Sequence, residues 1–566
     1  MRRAGVIIAL STLLGMAGGG VTAAPALAGG ASAGLPAPAA PGPPGGIHWG
    51  KCAGRMLQRA HAQCALLPVP LDYSNPAGPQ IKIAISRILH TSPDYRGVIL
   101  TNPGGPGGSG LSFNPPLIDA LQDEHLGAAA AGYDWIGFDP RGVGSSVPAL
   151  TCDPNYLGPD RQSYTPTTPA ILAYWKARSA DYAADCATRS AAQTALLGHM
   201  TTPDTARDMD AIRRALGQAQ ISYYGFSSGT YLGQVYATLF PGHVRRLILD
   251  SNVDPRQTVY QANLSSVIPY NRNLKIWFGW LAKYHNVYHL GRTERAVEHR
   301  WYAEQARLAS HPALGQVGPA EWTDIFFFAP FSQSFWTLLG SAFADWAHTH
   351  GTQAGQFLAV LYQAIDTPGN DNFFASLSAI QCTDAPWPSW ARWSRDARRL
   401  NRVAPFFAWA NVWGQAPCLY WKAPAHTQVT VNGTGITSAL LIDETLDAAT
   451  PFFGSLEVRR LFPHSILIAL PGGTSHANSL SGNLCVDRTI ARYLETGTLP
   501  PRQPHARWDK TCPPPPQPVP TPPVQAKPPA SSLSAILSHL GLRPKAHPIR
   551  RRTSAGERPR TGGRAT

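Results

Sequence analysis

Short runs of apolar residues, each followed by a turn-forming residue, recur along the middle of the chain. They lie at residues 81–88, 98–100, 135–138, 221–226, 247–249, 440–442 and 466–470. Runs of this kind are typical of strands that are buried on both faces of a sheet. The segment Thr202-Pro203-Asp204 predicts a helix start, with Thr202 as its cap, and Gly217 predicts the end of that helix. Strands that alternate with helices predict an α/β sheet.

The strand pattern stops in the second half of the chain. Residues 255–439 are rich in aromatic side chains and follow a helical pattern, for example at 274–284 and 335–346. We therefore predict a helical cap inserted into an α/β core made of residues 47–254 and 440–512. Long insertions on the active-site side of such a sheet usually cover the site. The alternative is a helical second domain without a part in substrate binding.

The N-terminal residues have the features of a secretory signal. Arg2 and Arg3 precede an apolar segment at 6–16, and Ala26-Leu27-Ala28 fits a cleavage site. We predict a signal peptide over residues 1–28, followed by a Pro/Gly/Ala linker over 29–46. The remaining sequence contains no run of about 18 apolar residues, so no membrane span is predicted.

The cysteine content fits an exported protein. The chain has eight cysteines, and exported proteins commonly form disulfides. Sequence alone leaves about 105 connectivities open. Pairing between neighbours in sequence closes the shortest loops at the lowest entropic cost. That choice gives the pairs Cys52–Cys64, Cys152–Cys186, Cys382–Cys418 and Cys485–Cys512.

The positive charge is concentrated at the end of the chain. The formal net charge is +14, and residues 513–566 contain many Lys and Arg but Glu557 as their single acid. We predict that this segment is a Pro-rich, basic, disordered tail with one short helix at 533–542. Contact with an anionic cell envelope is an alternative to a fully solvated tail. Since the rest of the chain is only mildly basic, no nucleic-acid partner is expected.

The sequence around Ser227 fits a nucleophile elbow. Gly225-Phe226-Ser227-Ser228-Gly229 lies between the apolar run 221–226 and a helical pattern that begins near Thr230. Such a turn needs small neighbours because the serine occupies a strained conformation that exposes its hydroxyl. We predict Ser227 as the nucleophile, since Ser228 lies off the centre of the motif.

A serine hydroxyl needs a base to take its proton, and this fold places the acid and then the histidine downstream of the serine. Asp447 follows the run at 440–442, and His476 follows the run at 466–470. Active sites of α/β sheets lie at the carboxyl ends of strands, so we predict these two residues as the acid and the base. Other candidates are Asp443, Glu444 and Asp250 for the acid, and His464 for the base.

A glycine-rich segment supplies candidate donors for an oxyanion. Residues 102–110 read Asn-Pro-Gly-Gly-Pro-Gly-Gly-Ser-Gly and follow a predicted strand. We predict that the backbone N–H groups of Gly105 and Ser228 form the oxyanion hole. A phosphate-binding loop is excluded because no Gly-Lys-Ser/Thr follows. No metal site and no cofactor are expected, and residues 139–145 are interpreted as a structural turn.

Together these motifs resemble the tripeptidyl aminopeptidase-like branch of the α/β hydrolases, which is related to the prolyl aminopeptidases. The resemblance spans residues 49–512. It rests on 102–110, 139–145, 224–230, 249–255, 382–384, 447–451, His476 and 485–512. It implies an α/β-hydrolase fold and a secreted bacterial serine exopeptidase with the triad Ser227, Asp447 and His476. Ser228 departs from the family, which commonly has Tyr there, and Ala477 follows His476 where the family commonly has Gly beside the histidine.

Substrates would then be peptides with a free N-terminus. Their ammonium group needs a carboxylate partner, and Asp384 is our candidate, with Glu321, Asp324 and Asp345 as others. The first alternative function is an esterase or lipase on the same triad, because fold and triad do not fix the substrate. The second is a non-catalytic envelope-binding protein that uses its basic tail.

Overall fold

The structure is a computed structural model that describes residues 46–257, 259–365 and 371–520. Its centre is a sheet of ten strands in the order β1-β2-β3-β5-β4-β6-β7-β8-β9-β10. The strands are β1 (Gly50–Lys51), β2 (Gln63–Pro70), β3 (Gln80–Ile88), β4 (Val98–Asn102), β5 (Asp134–Phe138), β6 (Ile221–Phe226), β7 (Val244–Asp250), β8 (Ala439–Glu444), β9 (Ser465–Leu470) and β10 (Lys510–Thr511). All seven predicted strands are present, and the predicted α/β-hydrolase fold is confirmed.

The direction of the strands explains the apolar runs. Strands β5, β4, β6, β7, β8, β9 and β10 are parallel neighbours, whereas β1, β2 and β3 join antiparallel at one edge. Every residue of β4, β6, β8 and β9 is buried. Parallel strands are covered by helices on both faces, so their sequences are continuously apolar instead of alternating.

Nine α-helices belong to the described part of the core outside residues 255–439. They are α1 (Arg55–Arg59), α2 (Asn114–Asp123), α3 (Gly127–Ala131), α4 (Pro169–Thr188), α5 (Ala191–Leu197), α6 (Thr202–Ala215), α7 (Ser228–Leu239), α18 (Phe453–Leu461) and α19 (Leu484–Thr496). The predicted cap residue of α6 is wrong by one position. The Thr201 side chain caps the helix by accepting from Asp204 N at 3.1 Å. Thr202 is already helical, and Gly217 follows the helix with φ +67° as predicted.

The insertion between β7 and β8 is helical. Its helices are α8 (Val259–Lys283), α9 (His285–Tyr288), α10 (Glu294–Leu308), α11 (Pro319–Phe326), α12 (Phe328–Phe331), α13 (Trp336–Thr349), α14 (Thr352–Ile365), α15 (Asp371–Asp384), α16 (Trp390–Asn401) and α17 (Ala408–Gln415). Trp277, Trp301, Trp322 and Trp336 are buried in a shared aromatic core of this segment. We refer to residues 255–439 as the cap. In the ranges that the structure describes, we find no helix with the length and apolar character of a membrane span.

Four disulfides join the cysteine pairs that loop closure favours. They are Cys52–Cys64, Cys152–Cys186, Cys382–Cys418 and Cys485–Cys512. The prediction of a disordered tail is wrong for residues 513–520, which pack on the folded body. The carbonyls of Pro513, Pro515 and Pro518 accept hydrogen bonds from the side chains of Asn483, Gln333 and Trp280. The proposed signal peptide, the linker up to residue 45 and the tail from residue 521, including its predicted helix, lie outside the described residues.

Candidate active site

Ser227 occupies a sharp turn between β6 and α7. Its backbone has φ +55° and ψ −129°, a conformation that non-glycine residues adopt only where the surroundings enforce it. Its N–H donates to the Asp250 carbonyl at 3.0 Å. A Cβ atom on Gly225 would lie 2.5 Å from the Gly229 carbonyl oxygen, and one on Gly229 would lie 2.7 Å from the Asn102 carbonyl oxygen. Gly225 and Gly229 are therefore required, because a side chain at either position would collide with a backbone carbonyl.

His476 and Asp447 are in direct contact. The Nδ1 atom of His476 lies 2.7 Å from Oδ2 of Asp447, and both side chains are buried. The amides of Ala449 and Thr450 donate to the other carboxylate oxygen at 2.8 and 3.1 Å. The hydroxyl of Thr450 donates to Oδ2 at 3.1 Å and lies 3.3 Å from His476 Nδ1. The carboxylate is thus fixed, and it orients the imidazole through Nδ1.

Of the other candidate acids, Asp250 and Glu444 hold the loop of His476, whereas Asp443 contacts α18. Asp250 accepts from the amide and hydroxyl of Ser479, and burial raises its pKa to about 6. Glu444 accepts from the Ser475 amide at 2.6 Å, and burial raises its pKa to about 8. Burial also raises the pKa of Asp443, which accepts from Ser455. Within the described residues, the recorded side-chain partners of the His476 ring nitrogens are Asp447 and Thr450 instead.

The glycine-rich segment lies against the nucleophile. A Cβ atom on Gly104 would lie 2.9 Å from Ser227 Cβ and 3.0 Å from Ser228 N. The Gly104 amide donates to the Asn102 side chain at 2.9 Å, and the Gly108 amide donates to the Gly104 carbonyl at 3.0 Å. In the described part of the chain, the amides of Gly105 and Ser228 have no protein acceptor. Gly105 and Ser228 line the same cavity as Ser227, so their amides are available as donors there.

Residues 139–145 have the structural role that the sequence predicts. The buried Asp139 carboxylate accepts from the Ser109 hydroxyl at 2.6 Å and from the Ser145 amide at 2.7 Å. Arg141 forms a buried, two-pronged ion pair with Asp208. These contacts fix the turn beneath the glycine-rich segment.

Ser227 and His476 line one cavity of about 560 Å³ between the core and the cap. Its aromatic lining includes Tyr270, Phe327, Phe328, Phe331, Phe373 and Phe407. The centroid of the Phe331 ring lies 4.9 Å from the centroid of the His476 ring. The cap and the core thus share the lining of a largely apolar pocket, and the cap supplies many of its aromatic side chains.

Asp384 also lines this cavity. Its two oxygens accept from the amide of Thr202 at 2.7 Å and from the hydroxyl of Thr202 at 2.5 Å. Among the described residues, no basic side chain is hydrogen-bonded to it, and burial raises its pKa to about 6. The cavity wall therefore contains a carboxylate without a bonded cation, attached to the N-terminus of α6.

The other candidate partners for the substrate ammonium either form ion pairs or lie outside the cavity lining. Asp324 lines the cavity but forms an ion pair with Arg161. Glu321 is fully buried and binds the same guanidinium at 3.0 Å. Asp345 is absent from the cavity lining. Asp254, which the sequence analysis includes in the 249–255 match but not among the candidate ammonium partners, also lines the cavity and forms an ion pair with Arg256 at 2.7 Å.

Two further polar residues of the site are not evident from the sequence. Thr450 lies three positions after Asp447, and only the Thr-Pro pair that follows the acid hints at its contact. Asn273 lies in the middle of α8, and its side chain donates to the Leu446 carbonyl at 2.7 Å and approaches the Thr474 carbonyl at 3.3 Å. No local motif marks it, because these partners are 173 and 201 residues away in sequence.

Two family models match the chain. One describes the alpha/beta hydrolase fold and covers residues 97–325. The other describes a TAP-like protein and covers residues 404–512. Both matches extend into the cap, leave residues 326–403 between them, and include the segments that carry Ser227, Asp447 and His476.

Several curated proteins are similar over most of their length. A tripeptidyl aminopeptidase of Streptomyces lividans is 38% identical over 82% of this chain and 86% of its own. A protein named Carboxylesterase B of Mycobacterium tuberculosis is 31% identical over 78% of this chain and 85% of its own. Serine protease Hip1 of Mycobacterium tuberculosis is 28% identical over 80% of this chain and 90% of its own.

Proposed function

The chain belongs to the tripeptidyl aminopeptidase-like branch of the α/β hydrolases and is a serine hydrolase, and from that premise we propose that it removes short peptides, most simply tripeptides, from free N-termini. The observation that carries the proposal is the 2.7 Å contact between His476 and Asp447 at a cavity that Ser227 also lines. The relatives named as peptidases support a peptide substrate.

We assign the chemical steps to residues of this cavity. Ser227 Oγ attacks the scissile carbonyl carbon while His476 Nε2 takes its proton, and Asp447 stabilises the imidazolium. The amides of Gly105 and Ser228 donate to the oxyanion. The C–N bond then breaks, and the proton passes from Nε2 to the leaving amine. Water, activated by the same histidine, hydrolyses the acyl-enzyme and regenerates the serine.

We assign recognition of the substrate ammonium to Asp384. Of the three aspartates that line the cavity in the described residues, Asp254 and Asp324 each have an arginine partner. Asp384 has only Thr202 as a hydrogen-bonded partner there. A buried carboxylate without a cation gains most from an incoming ammonium, because the pair forms where solvent screening is weak.

Secretion is part of the proposal. The features of residues 1–28 fit an export signal, and four disulfides fit an oxidising compartment. The basic residues of the tail offer a contact to an anionic cell envelope. Export is tested by expressing the full chain in a bacterial host and determining whether the culture fluid contains a protein that lacks residues 1–28.

Ester hydrolysis is the second candidate function, favoured by the relative named Carboxylesterase B. The same triad would serve both reactions. Only the exopeptidase reaction requires a free amine on the substrate, because only a substrate with an ammonium group would bind Asp384.

Matched tripeptide anilides with free and acetylated N-termini, beside a short nitrophenyl ester, separate the two functions. We expect cleavage of the free-amine anilides and a loss of about 10⁶-fold in Ser227→Ala. Cleavage of the ester without cleavage of either anilide would favour the esterase. Activity that survives Ser227→Ala would refute the assignment of the nucleophile.

A further inference from the structure

Asn273 of α8 connects the cap to both loops that carry the proposed acid and base. Its side chain is completely buried. The Nδ2 atom lies 2.7 Å from the Leu446 carbonyl oxygen, 3.2 Å from that of Pro330 and 3.3 Å from that of Thr474. Because carbonyl oxygens can only accept, the donor side of the amide must face them.

Two of these carbonyls lie next to the triad in sequence. Leu446 directly precedes Asp447, and Thr474 lies two positions before His476. The neighbouring Arg272 reinforces the first contact, because it donates to the Leu446 carbonyl at 2.6 Å and to the Asn273 side-chain oxygen at 3.0 Å. The amide thus spans the ends of β8 and β9, where the two loops leave the sheet.

The third carbonyl belongs to Pro330 at the end of α12 in the cap, and the next residue, Phe331, contacts the histidine directly. The His476 amide donates to the Phe331 carbonyl at 2.9 Å. The next cap residues reach the same loop, since the Gln333 amide donates to the Ser475 hydroxyl at 3.3 Å. Asn273 therefore fixes the end of α12 in the cap and the two catalytic loops relative to one another.

We propose that Asn273 is a positioning residue of the hydrolase, through which the cap sets the distance between Asp447 and His476. The inference rests on the proposed triad. The two loops are joined by backbone hydrogen bonds, from the Thr445 amide to the Leu470 carbonyl at 3.1 Å and from the Leu446 amide to the Gly473 carbonyl at 2.9 Å. The amide of α8 adds contacts to the next carbonyl along each loop, those of Leu446 and Thr474. The cap then contributes to the rate of the chemical step, in addition to binding the substrate.

A purely structural asparagine would behave differently. Loss of a buried donor leaves carbonyls unsatisfied and lowers stability in either case. Only a positioning role also lowers the reactivity of Ser227 in the folded protein, because misplacement of a catalytic group by about 1 Å costs on the order of 10²-fold in rate. Reactivity of the folded protein is therefore the measurement that separates the two.

The test uses the full-length protein and a fluorophosphonate probe, which phosphonylates an activated serine whatever the natural substrate is. Asn273→Leu removes the donor at similar size, and Asn273→Ser keeps one hydroxyl donor in case the leucine variant fails to fold. Asn271→Leu is the matched control. Asn271 is buried on the same helix and, among the described residues, makes no recorded side-chain hydrogen bond.

We expect folded Asn273 variants, checked by circular dichroism, to label about 10- to 100-fold more slowly than the wild type. Their kcat should fall, their KM should stay within twofold, and Asn271→Leu should label at the wild-type rate. Labelling of a folded Asn273 variant within twofold of the wild type would overturn the inference. A wild type that does not label at Ser227 would instead refute the proposed triad, so the two failures are distinguishable.

Discussion

Asp384→Asn isolates the charge of the proposed ammonium partner. The Asn side chain has nearly the same shape. Its oxygen accepts from the Thr202 amide, and its NH₂ group donates to the Thr202 hydroxyl, which replaces both contacts of the carboxylate. The contact between residue 384 and the start of α6 and the fold are therefore expected to persist, while the negative charge in the cavity is lost.

The size of the effect follows from the type of bond that is lost. A hydrogen bond to a charged group contributes about 1.5–3 kcal/mol, and about 1.4 kcal/mol corresponds to a tenfold change. We expect kcat/KM for free-amine tripeptide anilides to fall by roughly 10- to 150-fold. Hydrolysis of a short nitrophenyl ester, which has no amine, should stay within twofold. Asp345→Asn is the control, because this cap acid is not part of the cavity lining.

The pH dependence gives the same residue an independent test. Burial raises the pKa of Asp384 to about 6, so the carboxylate is charged above that pH and takes up a proton below it. The substrate α-amine is protonated below about pH 8. The ratio of kcat/KM for the anilide to kcat/KM for the ester, which cancels effects on the triad, should therefore be highest between pH 6 and 8.

The variant should lose the decline of this ratio below pH 6, because its amide does not titrate. An Asp384→Asn enzyme that cleaves the anilide as well as the wild type, with the same pH profile of the ratio, would refute the assignment. In that case Asp384 would act only as a structural contact to Thr202 at the start of α6, and Asp324 or Asp254 would become the candidate.

Three further predictions concern the architecture around the site. Gly104→Ala should lower kcat by more than tenfold, because its Cβ would lie 2.5 Å from the Phe226 carbonyl oxygen, whereas Gly217→Ala, with open space around it, should keep the wild-type rate. Arg161→Met should lower the free energy of unfolding in denaturant by about 3–5 kcal/mol, because it removes the buried guanidinium that forms ion pairs with Glu321 and Asp324. A chain ending at Cys512 should melt at a lower temperature than one ending at Pro520, since three hydrogen bonds of about 0.5–1.5 kcal/mol each are lost; equal melting temperatures would contradict this.

Much of the core could be predicted because its signals are local. The strand at 221–226 and the turn at Ser227 are encoded by neighbouring residues, since an apolar run, small flanking glycines and a following helix define the elbow. The sequence predicts the capping residue of α6 one position too late, because both Thr201 and Thr202 are threonines that can cap a helix. In the folded chain the Thr201 side chain accepts from the Asp204 amide, whereas Thr202 is bound by Asp384 of the cap.

Contacts between distant segments could not be predicted. Asp443 and Glu444 are the last residues of β8 and Asp447 lies just after it, and only the folded loop brings Asp447 rather than its neighbours to His476. Asn273 has no sequence motif because its contacts come from other elements. The packing of residues 513–520 could not be predicted either, since a proline-rich composition occurs both in disordered segments and in segments that pack on a folded domain.

Digestion of an oligopeptide and its N-acetylated twin, followed by mass spectrometry of the products, tests the central claim most directly. With the wild type we expect successive release of tripeptides from the free N-terminus, no cleavage of the acetylated twin and no products from Ser227→Ala. Internal cleavage, or equal cleavage of both peptides, would contradict an exopeptidase that recognises the free amine at Asp384.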